Sequence, residues 1–287
     1  MPEQLLVMAD NLFSVTQYPS HTVSGQEEAA GYEAYHVATG RREAGDAWRP
    51  TTANADRYVQ TRCNQLRAAS CLVIDRNSNL LSNARAGNTS RIQLLGSDDN
   101  FSTSRAVLDV TLASVPGGTP DSALGCITEE DAWIKTFNAD AFYDWRLLVK
   151  ALGSGVTPSL SGVWLGLAWQ PSDFQLAFPL DDDRFQVSFP EVTSGFGWSG
   201  RGRHAVVRQG GLHIEPANDT DYDMLRWQIL GLYAHGRSAW VMMQKANRPQ
   251  RAFLSRIPAG VISHDLDRNY HAAIRRMDIP LLEDQPA

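Results

Sequence analysis

The stretch Asp183-Arg184-Phe185-Gln186-Val187-Ser188-Phe189-Pro190 alternates without interruption, with Phe185, Val187 and Phe189 on one side and Arg184, Gln186 and Ser188 on the other. A period of two is what a strand needs when one face meets a core and the other meets water. The same period recurs on either side. Ala106, Leu108, Val110 and Leu112 alternate with partly polar neighbours, as do Leu212 and Ile214 with His213 and Glu215, while Val163, Leu165, Leu167 and Trp169 line one face of the segment 163–169. Short strands divided by Gly, Pro, Asn and Ser clusters predict a mostly β chain of antiparallel β-sandwiches. Between residues 10 and 100 turn residues are dense and periodicity is thin, which predicts long loops that carry function or form interfaces. One helix is expected. Asp219, Thr220 and Asp221 offer N-caps, Leu225, Ile229 and Leu232 recur at helical spacing, and Gly236 can close the C-terminus.

At 287 residues and 31.7 kDa the chain is about twice the ~150 residues expected of one domain. The run Gln170-Pro171-Ser172-Asp173 follows a strong strand and places a boundary near residues 170–180. The expected division is an all-β domain over 1–172 and a β-sandwich with one packed helix over 173–287.

Hydrophobic residues at 43% and charged residues at 20% match a globular chain and exclude disordered, collagenous and coiled-coil classes. A net charge of −6 argues against a nucleic-acid binder and offers no polybasic membrane anchor. The start, Met1 to Asn11, has no basic leader, and no apolar run approaches the ~18 residues of a membrane helix; assembly in the cytoplasm is expected. Cys63, Cys71 and Cys126 are odd in number and lack a CxxC, which predicts reduced, buried thiols and neither a disulfide framework nor a zinc site. Only Lys135, Lys150 and Lys245 are lysines among 26 basic residues. Coding bias explains that skew, and forked arginine donors at protein contacts are the functional alternative.

Several motifs fail on their context. Gly195-x-Gly197-x-x-Gly200 has the bare spacing of a dinucleotide fingerprint, but residues 201–208 read as a strand where a helix is required. The segment reads as a glycine-rich loop, with Trp198, Arg201 and Arg203 as candidates for a protein interface. Asp219, Asp221 and Asp223 open like a calcium loop, yet Met224 stands at the turn glycine and Leu230 at the bidentate glutamate. The run Asp181-Asp182-Asp183 reads as a solvated turn. Seven histidines include no HxH or HExxH pair, so no metal and no cofactor is expected. There is no G-x-S-x-G elbow and no P-loop. Glu129, Glu130 and Asp131 beside Trp133 are the carboxylates to test for glycoside hydrolysis, with a charged turn as the plainer reading. Tyr32, Tyr35, His36, Arg41, Arg42, Trp48, Arg49 and Asn54 join ring faces to directional donors, a mixture suited to sugars or to protein docking. Trp48 equally suits a plug at the end of the core.

The order Tyr18-Pro19, Thr22-Val23-Ser24, Gly31-Tyr32-Glu33-Ala34-Tyr35, Ala38-Thr39-Gly40-Arg41-Arg42 and Trp48-Arg49-Pro50 resembles the opening of discoidin-like, galactose-binding-like jelly rolls. Cys71-Leu72-Val73-Ile74-Asp75-Arg76 with Asn79-Leu80 is similar to the next part of the version found in tailed-phage tail proteins. The segment 163–169, the region from Gly195 to Arg208, Ser238-Ala239-Trp240-Val241 and Asn247-Arg248-Pro249 resemble tail proteins related to distal tail, or baseplate, components. The resemblance makes the domain over 1–172 a jelly roll and implies a virion structural protein at a phage tail tip, partnered by other tail proteins in a homo-oligomeric ring or attached to one, with a host glycan as a further candidate partner. Tyr32, Tyr35, Arg42, Trp48 and Arg49 are the residues assigned to carbohydrate or partner binding. Two other classes remain open, a carbohydrate-binding module for cell-surface glycans and a polysaccharide hydrolase.

Overall fold

A computed structural model of the chain describes residues 5–38, 47–75, 78–112, 117–129, 131–152, 155–170, 174–176, 185–187, 191–193, 199–201, 206–216, 238–242, 245–246, 248–256, 263–266 and 275–283. The first half supplies β1 (Leu6–Met8), β2 (Thr22–Gly25), the single turn α1 (Tyr35–Ala38), β3 (Arg57–Ile74), α2 (Asn79–Arg85), β4 (Arg91–Ser97), β5 (Arg105–Thr111), β6 (Cys126–Ile127), β7 (Trp133–Val149) and β8 (Val163–Gly166). All pairings are antiparallel.

The longest strand, β3, runs through the region where the sequence suggests long loops. Its first part does alternate, with Val59, Thr61 and Cys63 buried and Arg62 and Asn64 exposed, but its end is buried at every position from Ala69 to Ile74. Continuous burial removes the period-two signal. The register against β7 shifts between Arg62 and Arg67 and again between Ala69 and Cys71. Bulges of this kind bend a strand, so one long strand pair serves two sheets. Its first portion lies in the order β2-β3-β7-β4-β5, and its last in β8-β3-β7-β6. Leu72, Ile74, Trp133 and Leu165 from the short sheet meet Val59, Ile92, Leu94, Trp145 and Leu147 from the long one in a single core. The result is an antiparallel β-sandwich of jelly-roll type. Gly96 on β4 is required by this packing, because a Cβ there would lie 2.0 Å from the Phe142 ring.

The second half contributes β9 (Phe174–Leu176), β10 (Phe185–Val187), β11 (Glu191–Thr193), β12 (Ser199–Arg201), β13 (Val206–Pro216), β14 (Ser238–Met242), β15 (Phe253–Arg256), β16 (Ser263–Leu266) and β17 (Arg275–Glu283). Most join one sheet in the order β1-β14-β15-β17-β13-β10. Its first strand comes from the start of the chain, with Leu6 opposite Met242 and Met8 opposite Trp240. β11 and β12 pair antiparallel as a separate unit, Glu191 opposite Arg201, so the last glycine of the motif, Gly200, lies within a strand. Residues 219–236, where a helix and a calcium-like spacing are expected, lie outside the described residues, as do Asp181 to Asp183. The sequence reading missed both α1 and α2; α2 buries Leu80, Leu81 and Ala84 on the sandwich.

The two sheets meet on the outer face of the short sheet. Cys71, Val73, Ile134 and Trp164 turn away from the jelly-roll core and pack against Leu6, Met8, Trp240, Met242 and Leu254. All three thiols are buried and form no disulfide, and burial pushes each of them up to about 12. Trp240 is fully buried in the middle of this contact. Truncating a core tryptophan costs about 3–5 kcal/mol; Trp240→Ala is therefore expected to lower unfolding stability by that amount, read from urea denaturation followed by circular dichroism.

Candidate functional site

The residues picked out in the N-terminal loops fall into two environments. The Glu28 carboxylate accepts from the amides of Gly25 at 2.7 Å and Ala34 at 3.2 Å, which folds the loop after β2 back on itself. The Ala29 amide donates to the Arg49 carbonyl at 2.8 Å and the Arg49 amide to the Tyr32 carbonyl at 3.1 Å. Those bonds bring Arg49 over Tyr32, with the guanidinium 4.4 Å from the ring centroid, and Arg49 Nε donates to Ser159 Oγ at 3.2 Å. On α1, three residues along the chain from Tyr32, Tyr35 is 52% exposed and its ring lies 4.1 Å from that of His36. His36 in turn meets Glu33 at 3.4 Å.

Trp48 lies in the second environment. It is fully buried in the jelly-roll core, it exchanges backbone hydrogen bonds with Leu160, and a Cβ on Gly25 would come within 2.3 Å of its Nε1. Its ring is a plug for the sandwich, which leaves Tyr32, Tyr35 and Arg49 as the surface group. Arg42, Trp198 and Arg203 lie outside the described residues. Arg201 closes β12 opposite Glu191, away in sequence from that group. Glu129 and Asp131 precede β7, where Asp131 pairs with Arg85 at 2.6 Å, and Glu130 lies outside the described residues.

A second site was not anticipated from the sequence. Between Thr136, opposite Cys71, and Asp140, opposite Ala69, β7 spends three residues where β3 spends one. The extra residues Phe137 and Asn138 line a cleft of about 710 Å³, together with the start of β5, Asp121, Gln170 and Lys245. Lys135 and Lys245 are buried at its base, 8% and 6% exposed. Lys135 Nζ donates to the carbonyls of Thr136 at 2.7 Å and Pro120 at 3.3 Å. Lys245 Nζ pairs with Asp121 at 2.5 Å and donates to Gln170 Oε1 at 2.5 Å. The Thr136 hydroxyl donates to Asp121, and at the rim Arg105 pairs with Asp140. Burial pulls the Lys135 ammonium below the ordinary lysine value. Burial pushes the Asp121 carboxyl up, but hydrogen bonds from Lys245 and Thr136 more than offset it and hold that group below the usual carboxylate value. The available signal in the sequence is the rarity of lysine: two of the three meet here.

Among the described residues no three His, Cys, Asp or Glu side chains group as metal ligands, and no helix is long and apolar enough to cross a membrane.

No protein family and no curated protein matches the chain. Similar solved structures include a chitosan-binding module from a Paenibacillus sp. IK-5 chitosanase/glucanase, at 13% identity and TM-score 0.38, covering 54% of this chain and 97% of that one. A CBM32 module from Clostridium perfringens, in complex with GalNAc-β-1,3-galactose, gives 11% identity and TM-score 0.38 over 51% of this chain and 94% of its own. A GH29 fucosidase from Ruminococcus gnavus gives 8% identity and TM-score 0.40 over 55% of this chain and 27% of its own. Scores this low leave the fold to rest on the strand order and register described above.

The Asp121 carboxyl predicts a pH effect. Because its folded value lies below the ordinary 3.8, its contribution is full above that value and is lost as pH falls through the depressed one. The urea midpoint of the parent chain should therefore fall more steeply below pH 4 than that of Asp121→Asn, measured from about pH 6 down to about pH 2.

Proposed function

We propose that this chain is a glycan-binding protein, in which the end of the β-sandwich offers Tyr32, Tyr35 and Arg49 to a sugar. The observation that carries this reading is the half-exposed Tyr35 ring, packed against His36 and three residues along from Tyr32, whose own ring carries Arg49. A pyranose has a flat apolar C–H face and a rim of hydroxyls. An exposed aromatic ring covers the first, and fixed donors and acceptors such as Arg49 and Glu33 meet the second. The loop is held by the Glu28 carboxylate and by main-chain pairing, so little ordering cost is left for binding. On this reading the chain binds, and no bond is made or broken.

Calorimetric titration with neutral mono- and oligosaccharides tests it. Saturable binding is expected, and Tyr35→Ala should weaken it by about tenfold, worth about 1.4 kcal/mol, without moving the thermal midpoint. Absence of saturable binding to any of them would sink the reading.

Assembly at a phage tail tip is the second reading. The sequence resemblance motivates it, and the broad joint around Trp164 and Trp240, which fixes the jelly roll on a second sheet, suits a part built into a larger ring. The location would then be the virion, and the partners would be other tail proteins. Light scattering separates the two readings: a closed oligomer supports the scaffold, and a monomer that binds sugar supports the module.

A further inference from the structure

We infer that the cleft beside the β7 bulge is a second ligand site, which takes the carboxylate of an acidic sugar. The sugar part of this statement rests on the glycan-binding reading, whereas the carboxylate part rests on the cleft alone. At the base, two buried ammonium groups line the cleft with one carboxylate, Asp121, which pairs with Lys245, whereas Lys135 donates to backbone carbonyls; Arg105 and Asp140 balance each other at the rim. Among the described residues, one positive charge is left over. Burying an ammonium is costly unless an anion and good hydrogen bonds meet it, and a monoanion in the cleft completes the balance.

The donors agree with the charge. An ammonium has three N–H groups. Lys135 spends two on the carbonyls of Pro120 and Thr136, and Lys245 spends two on Asp121 and Gln170. Among the described residues, one N–H of each is left for a ligand, a pair that fits the two oxygens of a carboxylate. The chain uses arginine almost everywhere else, and a compact point charge suits a corner where a planar fork needs more room. The space of about 710 Å³ falls within the ~300–1,000 Å³ of ligand pockets. Beyond the ammonium corner, Phe137 offers a ring and Asn138 an exposed amide, the two kinds of contact that a sugar ring and its hydroxyls use.

The test is calorimetric titration of the full chain at one fixed ionic strength with D-galacturonate, D-galactose and acetate. Galacturonate is expected to bind at least tenfold more tightly than galactose, which lacks the charge, and than acetate, which fills only the corner. Lys245→Gln should erase the preference over galactose. Asp121→Asn should strengthen galacturonate binding several-fold, because it removes the competing anion and keeps an acceptor. A merely structural role would make both substitutions weaken binding together, and that result overturns the inference. So does equal affinity for galacturonate and galactose, or for galacturonate and acetate. Galactose binding that Tyr35→Ala removes, with no preference for the uronate, overturns the cleft site and leaves the sandwich-end platform standing. No sugar binding of any kind overturns both.

Discussion

Everything in this molecule is built around a sheet with no wet face. At the end of β3, Leu72 and Ile74 point into the jelly-roll core while Cys71 and Val73 point into the contact with the second sheet, and Trp133 and Ile134 on β7 divide in the same way. A sheet buried on both sides reads as near-continuous apolar runs, and the polar groups that do enter it, Lys135 and Thr136 on β7, are hydrogen-bonded. It also cannot slip in register by one residue without exchanging its two sets of neighbours. That is why the first strand of the chain, Leu6–Met8, ends beside Trp240: the outer face of the short sheet needs a cover, and β1, β14 and β15 supply it.

The bulges that let β3 and β7 serve two sheets also explain where the cleft is. Straight strands would close the sandwich with no surplus residues. Where β7 carries three residues against one, Phe137 and Asn138 are pushed out of the ladder and become walls. The fold thus makes its pocket from the same irregularity that makes its bend, in keeping with the association of bulges with functional positions.

Legibility in the sequence followed solvent exposure. β5 lies at the edge of its sheet with Asp109 and Thr111 exposed, so the alternation of Leu108 and Val110 was readable, and the alternating stretch with Leu212 and Ile214 is indeed strand, in β13. The end of β3 was not, because alternation needs a polar face and Ala69 to Ile74 has none. α2 was missed for a related reason, since seven residues give less than two full turns of period. At the site, Tyr32, Tyr35 and Arg49 could be read from residue type in a loop, but the burial of Trp48 depends on Leu160, more than a hundred residues away in sequence. The Lys135–Lys245 pair was further out of reach. It brings together a β7 residue and one that follows β14, and only the scarcity of lysine marked either of them.

That scarcity bears on how an anionic ligand would be met. A chain of net charge −6 repels polyanions at long range, and at physiological salt that repulsion fades beyond ~8 Å. A buried ammonium pair exerts little steering from such depth; its attraction grows only once a carboxylate has entered and displaced water. Selection between neutral and acidic sugars is therefore expected in the lifetime of the complex more than in its rate of formation. A sugar bound as proposed on Tyr35 would behave in the opposite way, since stacking on an exposed ring needs no charge and no deep entry. Two sites of such different physics on one sandwich would let a single chain tell the backbone of a glycan from its charged substituents.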